Sequence, residues 1–149
     1  MYKAKMMIVM RRDLKMRKGK IAAQAGHACV DAVLMALKNE ARLDELEMTA
    51  EGMMLRQTDK PRTPLSDWFG YGCAKICVYV DSEQALLEIA QKARERGILA
   101  SVITDAGLLK HRINHFLPSL FFICNRIPFW KRLFFPSGNS LTIYFCPVV

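Results

Sequence analysis

Five consecutive apolar residues, Met6 to Met10 (MMIVM), run directly into ten residues that hold six cations, Arg11 to Lys20. A strand wet on one face alternates apolar and polar side chains, whereas an unbroken run has to be covered on both faces. That requirement selects a layered α/β architecture, in which helices shield the two sides of a sheet. The 149-residue length suits one such domain, with enough core to hold without disulfides.

The rest of the chain to Asp105 follows the same plan. Gly19 precedes a helix over Ile21 to Lys38, whose Ala22, Ala25, Cys29, Ala32, Val33 and Ala36 recur at spacings of three and four. Asn39 to Arg56 continues with helical spacing, and Gln57 to Ser66, with two prolines and several turn formers, reads as a connection. Lys75 to Val80 (KICVYV) is a second strand. Ser82 caps a helix with an inward stripe of Leu86, Leu87, Ile89, Ala90 and Ala93, and Gly97 ends it. Ile98 to Thr104 is a third strand. The expected fold is α/β, a single domain with a mixed, mostly parallel four-stranded sheet and helices on both faces. The fourth strand is the least determined, and Ser140 to Cys146 is a candidate for it.

Charge is unevenly distributed. Of the net +8, residues 1–20 carry +7, residues 21–105 carry −4, and residues 106–149, which lack any acid, carry +5. A basic segment that dense draws a polyanion and speeds its encounter, with nucleic acid the first candidate; a solvated loop without a partner is the alternative. The five cysteines are odd in number and lack a CxxC pair, and Lys3, Lys5, Arg11 and Arg12 interrupt any apolar leader. A reduced, cytoplasmic protein is expected.

In sheets of this kind ligands gather beyond the carboxyl ends of the strands. Two features reach that edge: the Arg11 to Lys20 loop after the first strand and Asp105-Ala106-Gly107 after the third. If those strands are neighbours, Lys20 and Asp105 face one cleft. Lys20 stands at a helix N-terminus, where unpaired N–H groups and the helix dipole favour a phosphate or a developing oxyanion. Lys20, Gln24, His27 and Asp31 share one stripe, which reads either as part of a site or as the helix's solvent side, with His27 and Asp31 a local hydrogen-bonded pair. Asp105 is able to orient or deprotonate water, or simply to form a turn. His111, His115 and Cys124 lack a fourth ligand at zinc spacing. GxSxG, Walker and GxGxxG signatures are missing. Phe116 to Phe135 is aromatic-rich but broken by Pro118, Pro128 and three cations, well short of the roughly 20 uninterrupted apolar residues that a transmembrane helix needs.

Three segments now carry a resemblance: MMIVMRRDLKMRKGKIAAQAGHA (Met6 to Ala28), KICVYVDSEQALLEIAQKARERGI (Lys75 to Ile98) and SVITDAG (Ser101 to Gly107). In order and spacing they resemble the type-2 peptidyl-tRNA hydrolase family. The resemblance implies an enzyme that hydrolyses the ester joining a stranded peptide to the 3′ ribose of tRNA, with no metal or organic cofactor. It implies Lys20 and Asp105 as catalytic, and Arg12, Lys15, Arg17, Lys18, Gln24 and His27 as tRNA-binding. The partner is peptidyl-tRNA, with no stable membrane insertion; pairing of two chains as a homodimer is left open.

The likeness stops after Gly107. The family continues with a residue, a threonine and then a glycine-rich last strand of the kind TxLxIGP, whereas Leu108-Leu109-Lys110 follows here. The chain is therefore divided into residues 1–107, the hydrolase-like α/β domain, and 108–149, a divergent basic, aromatic tail. A change of reading frame or a genuine extension would account for the tail. A non-catalytic RNA-binding relative is the alternative function, and an interaction protein whose tail docks on a membrane or partner is a third.

Overall fold

The structure is a computed structural model and describes residues 4–103 together with strands at 119–124 and 143–144. The apolar run forms β1 (Lys5–Arg11), followed by α1 (Lys18–Asn39), β2 (Leu46–Thr49), β3 (Gly52–Leu55), α2 (Pro64–Gly70), β4 (Lys75–Val80), α3 (Glu83–Glu95), β5 (Ala100–Ile103), β6 (Ser119–Cys124) and β7 (Ile143–Tyr144). β1 is buried on both faces, as its composition demands. Met6, Ile8 and Met10 pack with Ala28, Ala32, Ala36 and Leu37 of α1 and with Leu65, Trp68 and Phe69 of α2. Met7 and Val9 face the other way, against Leu86, Ile89, Ala90 and Ala93 of α3. The α1 face that meets the sheet is alanine-rich, so the helix lies close to the strands.

The sheet has five strands in the order β5-β6-β1-β4-β7. β1 and β4 are parallel, joined in register from Met6↔Lys75 to Arg11↔Val80. β6 is antiparallel to both β1 and β5, and β7 is antiparallel to β4. β1, β4 and β5 thus run the same way, and β6 and β7 against them. The expected count of four strands is corrected to five, because the chain beyond Gly107 contributes two. The first and third strands are not neighbours: β6 lies between them, pairing Val9 with Leu120 and Leu120 with Val102. Without β6, one side of β1 would be an open row of unpaired N–H and C=O groups.

The segment expected to prolong the first helix is instead a 3₁₀ turn (Leu43–Glu45) and the two-residue hairpin β2–β3, closed by Ala50 and Glu51. The helix stops because Ala41 adopts φ 51°. The amides of Ala41 and Arg42 then bond back to the carbonyls of Lys38 and Leu37, at 3.1 and 2.8 Å, the paired bonds of a left-handed helix ending. Glycine normally marks such a stop, and here alanine occupies it. The connection expected over Gln57 to Ser66 gives way at Pro64 to α2. Its start is nonetheless written in Thr63-Pro64: the Thr63 hydroxyl accepts from the Ser66 amide, the Ser66 hydroxyl accepts from the Thr63 amide, and proline fills the first turn. α3 matches its expected limits, with Ser82 accepting from the Ala85 amide and Gly97 at φ 69° closing it.

A buried ion cluster ties the hairpin to the end of α1. Arg42, 4% exposed along its side chain, bonds Glu45 at 2.7 Å, Glu40 at 3.1 Å and the Pro61 carbonyl at 2.8 Å. Lys60 meets the other Glu45 oxygen at 2.6 Å. Lys60, then Arg42, hold the Glu45 carboxyl below its ordinary value of 4.5. The unfolded chain therefore takes up a proton on Glu45 before the folded chain does, so the stabilisation is present above pH 4.5 and is lost as pH falls through the lower folded value. Urea unfolding between pH 6 and pH 3 checks this: the native chain's midpoint is expected to fall on acidification more steeply than that of Glu45→Gln. Equal slopes would show that the cluster does not sense pH.

Candidate active site

The site is built where β1 hands the chain to α1. The Arg12 amide bonds the Val80 carbonyl at 2.8 Å, which extends the β1–β4 pairing by one step, and the Lys15 amide bonds the Arg12 carbonyl at 3.1 Å to form the turn. Lys15 holds φ 45°, a left-handed conformation that costs a non-glycine residue free energy. α1 then opens at Lys18 with Arg17 as its cap residue, whose side chain makes no capping hydrogen bond among the described residues, and with no acidic residue in its first turn. A helix of 22 residues presents an uncapped, electropositive end at this point.

The loop's cations divide into two sets. Arg11 is drawn inward: its guanidinium bonds Asp13 at 2.6 and 3.1 Å and Glu83, at the start of α3, at 2.6 Å. Arg11 in turn holds the Asp13 carboxyl below the usual aspartate value. Arg12, expected at the tRNA, reaches Asp81 at 2.7 Å, with both side chains well exposed, at 61% and 75%. A pair so open to solvent exchanges readily and adds little stability. Lys15, Arg17 and Lys18 are exposed and make no ion pair among the described residues. Lys20 is exposed in the first turn of α1, beside them in sequence.

The stripe of Lys20, Gln24, His27 and Asp31 proves to be the border between the wet and buried sides of α1. At about 100° per residue, Gln24 is rotated roughly 40° and Asp31 roughly 20° from Lys20 toward the sheet, and His27 roughly 20° away from it. Burial follows that rotation: Lys20 and His27 are exposed, Asp31 is half-buried and Gln24 is only 5% exposed. Asp31 does not serve as the expected partner of His27; its carboxylate accepts from the Ser101 hydroxyl, which pins α1 to β5. Gln24 has a buried side-chain oxygen with no hydrogen-bond partner among the described residues. Such an orphan costs about 1–3 kcal/mol, a cost that a ligand donor would relieve.

Asp105 lies outside the described residues, as do His111 and His115. β5, which leads toward Asp105, ends at the same edge of the sheet as β1: Ile103 pairs with Ser119, the residue before the one paired with Val9. Two strand spacings, about 10 Å, therefore separate the ends of β5 and β1. Among the described residues no three His, Cys, Asp or Glu side chains are grouped to hold a metal ion. No described helix is long and apolar enough to cross a membrane.

Fold and site together define an α/β protein with a mixed sheet and a cation-rich helix end at the carboxyl edge of its central strands. Comparison with known proteins makes the class specific. The family described as "Peptidyl-tRNA hydrolase PTH2" matches residues 4–115, and the chain belongs to it. The peptidyl-tRNA hydrolase of Methanocaldococcus jannaschii is 36% identical over 103 residues, covering 69% of this chain and 71% of the relative. That of Thermococcus sibiricus is 34% identical over 108 residues, 72% of this chain and 74% of the relative. The probable peptidyl-tRNA hydrolase 2 of Drosophila melanogaster is 39% identical over 103 residues, 69% of this chain but 44% of the relative's own length.

Sequence reasoning missed Ser101 as the partner of Asp31 and the burial of the Gln24 oxygen. Ser101 is a polar residue inside an apolar strand, which is the one signal that would have flagged it. The spacing put Gln24 on the stripe with Lys20, and only the family resemblance gave it a tRNA-binding role; neither signals its burial.

Proposed function

We propose that this chain carries out the reaction of its family, peptidyl-tRNA hydrolysis, at the head of α1. The observation that carries the reading is the uncapped start of that helix surrounded by the exposed cations of Lys15, Arg17, Lys18 and Lys20. Phosphates of the tRNA settle against Lys15, Arg17 and Lys18, with Arg12 joining when it leaves Asp81. Lys20 stabilises the oxyanion formed at the ester carbonyl, or the terminal phosphate beside it. Asp105 orients the attacking water or takes its proton. An ester is more reactive than an amide, so a positioned water and charge stabilisation suffice without a covalent nucleophile. Gln24 offers its buried oxygen to a substrate donor, and His27 lies along the same helix. The reaction belongs in the cytoplasm, where peptidyl-tRNA is produced, and a homodimer is compatible with a site contained in one chain.

Release of a labelled peptide from a model peptidyl-tRNA by the purified protein tests the reading directly. Release is expected; tRNA binding with a steep salt dependence and no release would identify a binding module instead. Binding supplies a second expected result. Each phosphate contact contributes about 0.7–0.9 to the slope of log affinity against log salt. Lys15→Ala/Arg17→Ala/Lys18→Ala should therefore lower that slope by roughly two to three. An unchanged slope would remove the loop from the interface.

We take the chain's acid-free composition after Gly107 as the mark of a replaced C-terminus. The coding DNA is expected to hold, in another frame, the threonine and the glycine-rich strand that the family carries there; their absence from every frame would favour a genuine extension.

A further inference from the structure

A pocket of about 420 Å³ lies between the β2–β3 hairpin, residues 56–62 and α2. Among the described residues its walls include four cations, Arg42, Arg56, Lys60 and Arg62, and no acid. Thr58, Ser66 and Gln57 add polar groups, and Met54, Leu55 and Phe69 form an apolar surface. The balancing carboxylates stand behind the lining. Glu45 holds Arg42 and Lys60 from beneath at 2.7 and 2.6 Å, Asp67 meets Arg62 at 3.1 Å, and Glu47 lies 3.6 Å from Arg56. Arg42 is fully engaged and serves as the floor. Arg56 and Arg62 are different: their side chains are 52% and 67% exposed, and each of them has more donors than its pairing uses. Arg56 is steadied by the Asp44 carbonyl at 2.9 Å, and Arg62 by stacking 5.8 Å over the Tyr71 ring.

Oriented guanidinium groups around a partly apolar hollow of this size suit a ligand with one anionic end and one flat, weakly polar body. We propose that this pocket takes a nucleotide phosphate, with Arg56, Lys60 and Arg62 on the phosphate and Phe69, Met54 and Leu55 against the base. The pocket does not belong to the site at the head of α1. Arg42 follows the far end of that helix, and the 19 residue steps from Lys20 to Asn39 span about 29 Å. A mononucleotide bound here does not reach Lys20. An RNA arm does, when a stem spanning that distance offers the pocket an unpaired nucleotide from a loop, bulge or end, whose base is free to stack. The RNA source rests on the reading of the substrate as peptidyl-tRNA; the phosphate chemistry does not.

The test uses the full chain, deacylated tRNA and adenosine monophosphate, so that ester cleavage plays no part in it. Arg56→Gln/Arg62→Gln leaves the Arg42–Glu45–Lys60 cluster intact, and an unchanged melting temperature verifies the fold. With RNA as the occupant, the double variant is expected to bind tRNA about 10-fold or more weakly, with a salt slope lower by roughly one to two. With a free nucleotide as the occupant, tRNA binding stays the same while adenosine monophosphate shifts the backbone amide NMR signals of residues 56–62 and 66–70 in the native chain and not in the variant. If neither tRNA affinity nor those signals respond, the proposal is overturned, whatever the outcome of the hydrolysis assay.

Discussion

Alanine in place of Lys20 is expected to lower the rate of peptide release by about 10²- to 10³-fold while the chain stays folded, the loss typical when one donor to a developing oxyanion is removed. The fold should tolerate the change. Lys20 is exposed in the first turn of α1, and alanine is the better helix former. A melting temperature within a few degrees of the native chain's is therefore the control. The division between kcat and KM then tells which role the ammonium plays. A group that meets charge only as the tetrahedral centre forms lowers kcat and leaves KM alone, whereas a group that grips the terminal phosphate raises KM. Arginine at position 20 separates charge from placement, since it keeps the cation but spreads it over a larger, flatter head. A Lys20→Ala variant that releases peptide at the native rate would remove this helix end from the chemistry.

How much of this was open to reading follows from where each signal sits along the chain. β1, β4 and α3 are written in contiguous residues: an unbroken apolar run, KICVYV, and a serine cap matched by a closing Gly97. α1, Lys18 to Asn39, lies within three residues of its expected bounds, but the helical spacing that runs on to Arg56 is not helix, because the left-handed stop falls on Ala41 while the good helix formers beyond it keep their spacing. The hairpin that follows owes its shape to pairing between Leu46 and Leu55, nine positions apart, which a helical period does not register. Strand order was out of reach for the same reason on a larger scale. β6 is inserted between β1 and β5 from a segment that carries no family pattern, and only the pairing itself reveals it. The site shows the same division. Lys20 and the loop cations are candidates from charge density and a helix start alone, whereas Asp31 finds its partner 70 residues away on β5, and the burial of the Gln24 oxygen is a property of packing.

Asparagine in place of Asp105 is the second substitution expected to have a large effect, about 10²- to 10⁴-fold on kcat, the range over which a positioned general base contributes. The two side chains have nearly the same shape, and the amide still accepts a hydrogen bond from water but takes no proton. A carboxylate that only holds the water in place would therefore be replaced with a small loss, and one that removes its proton with a large one. The pH profile makes the distinction sharper: a base must be ionised, so the native rate should climb with pH along an acidic limb, and that limb should vanish in Asp105→Asn. The two substitutions also test each other. If the ammonium and the carboxylate act on one tetrahedral centre, removing both costs little more than removing the more damaging one, because neither is useful without the other. Losses that multiply would place Lys20 and Asp105 in separate tasks, with Lys20 then on the tRNA phosphate and Asp105 alone at the ester.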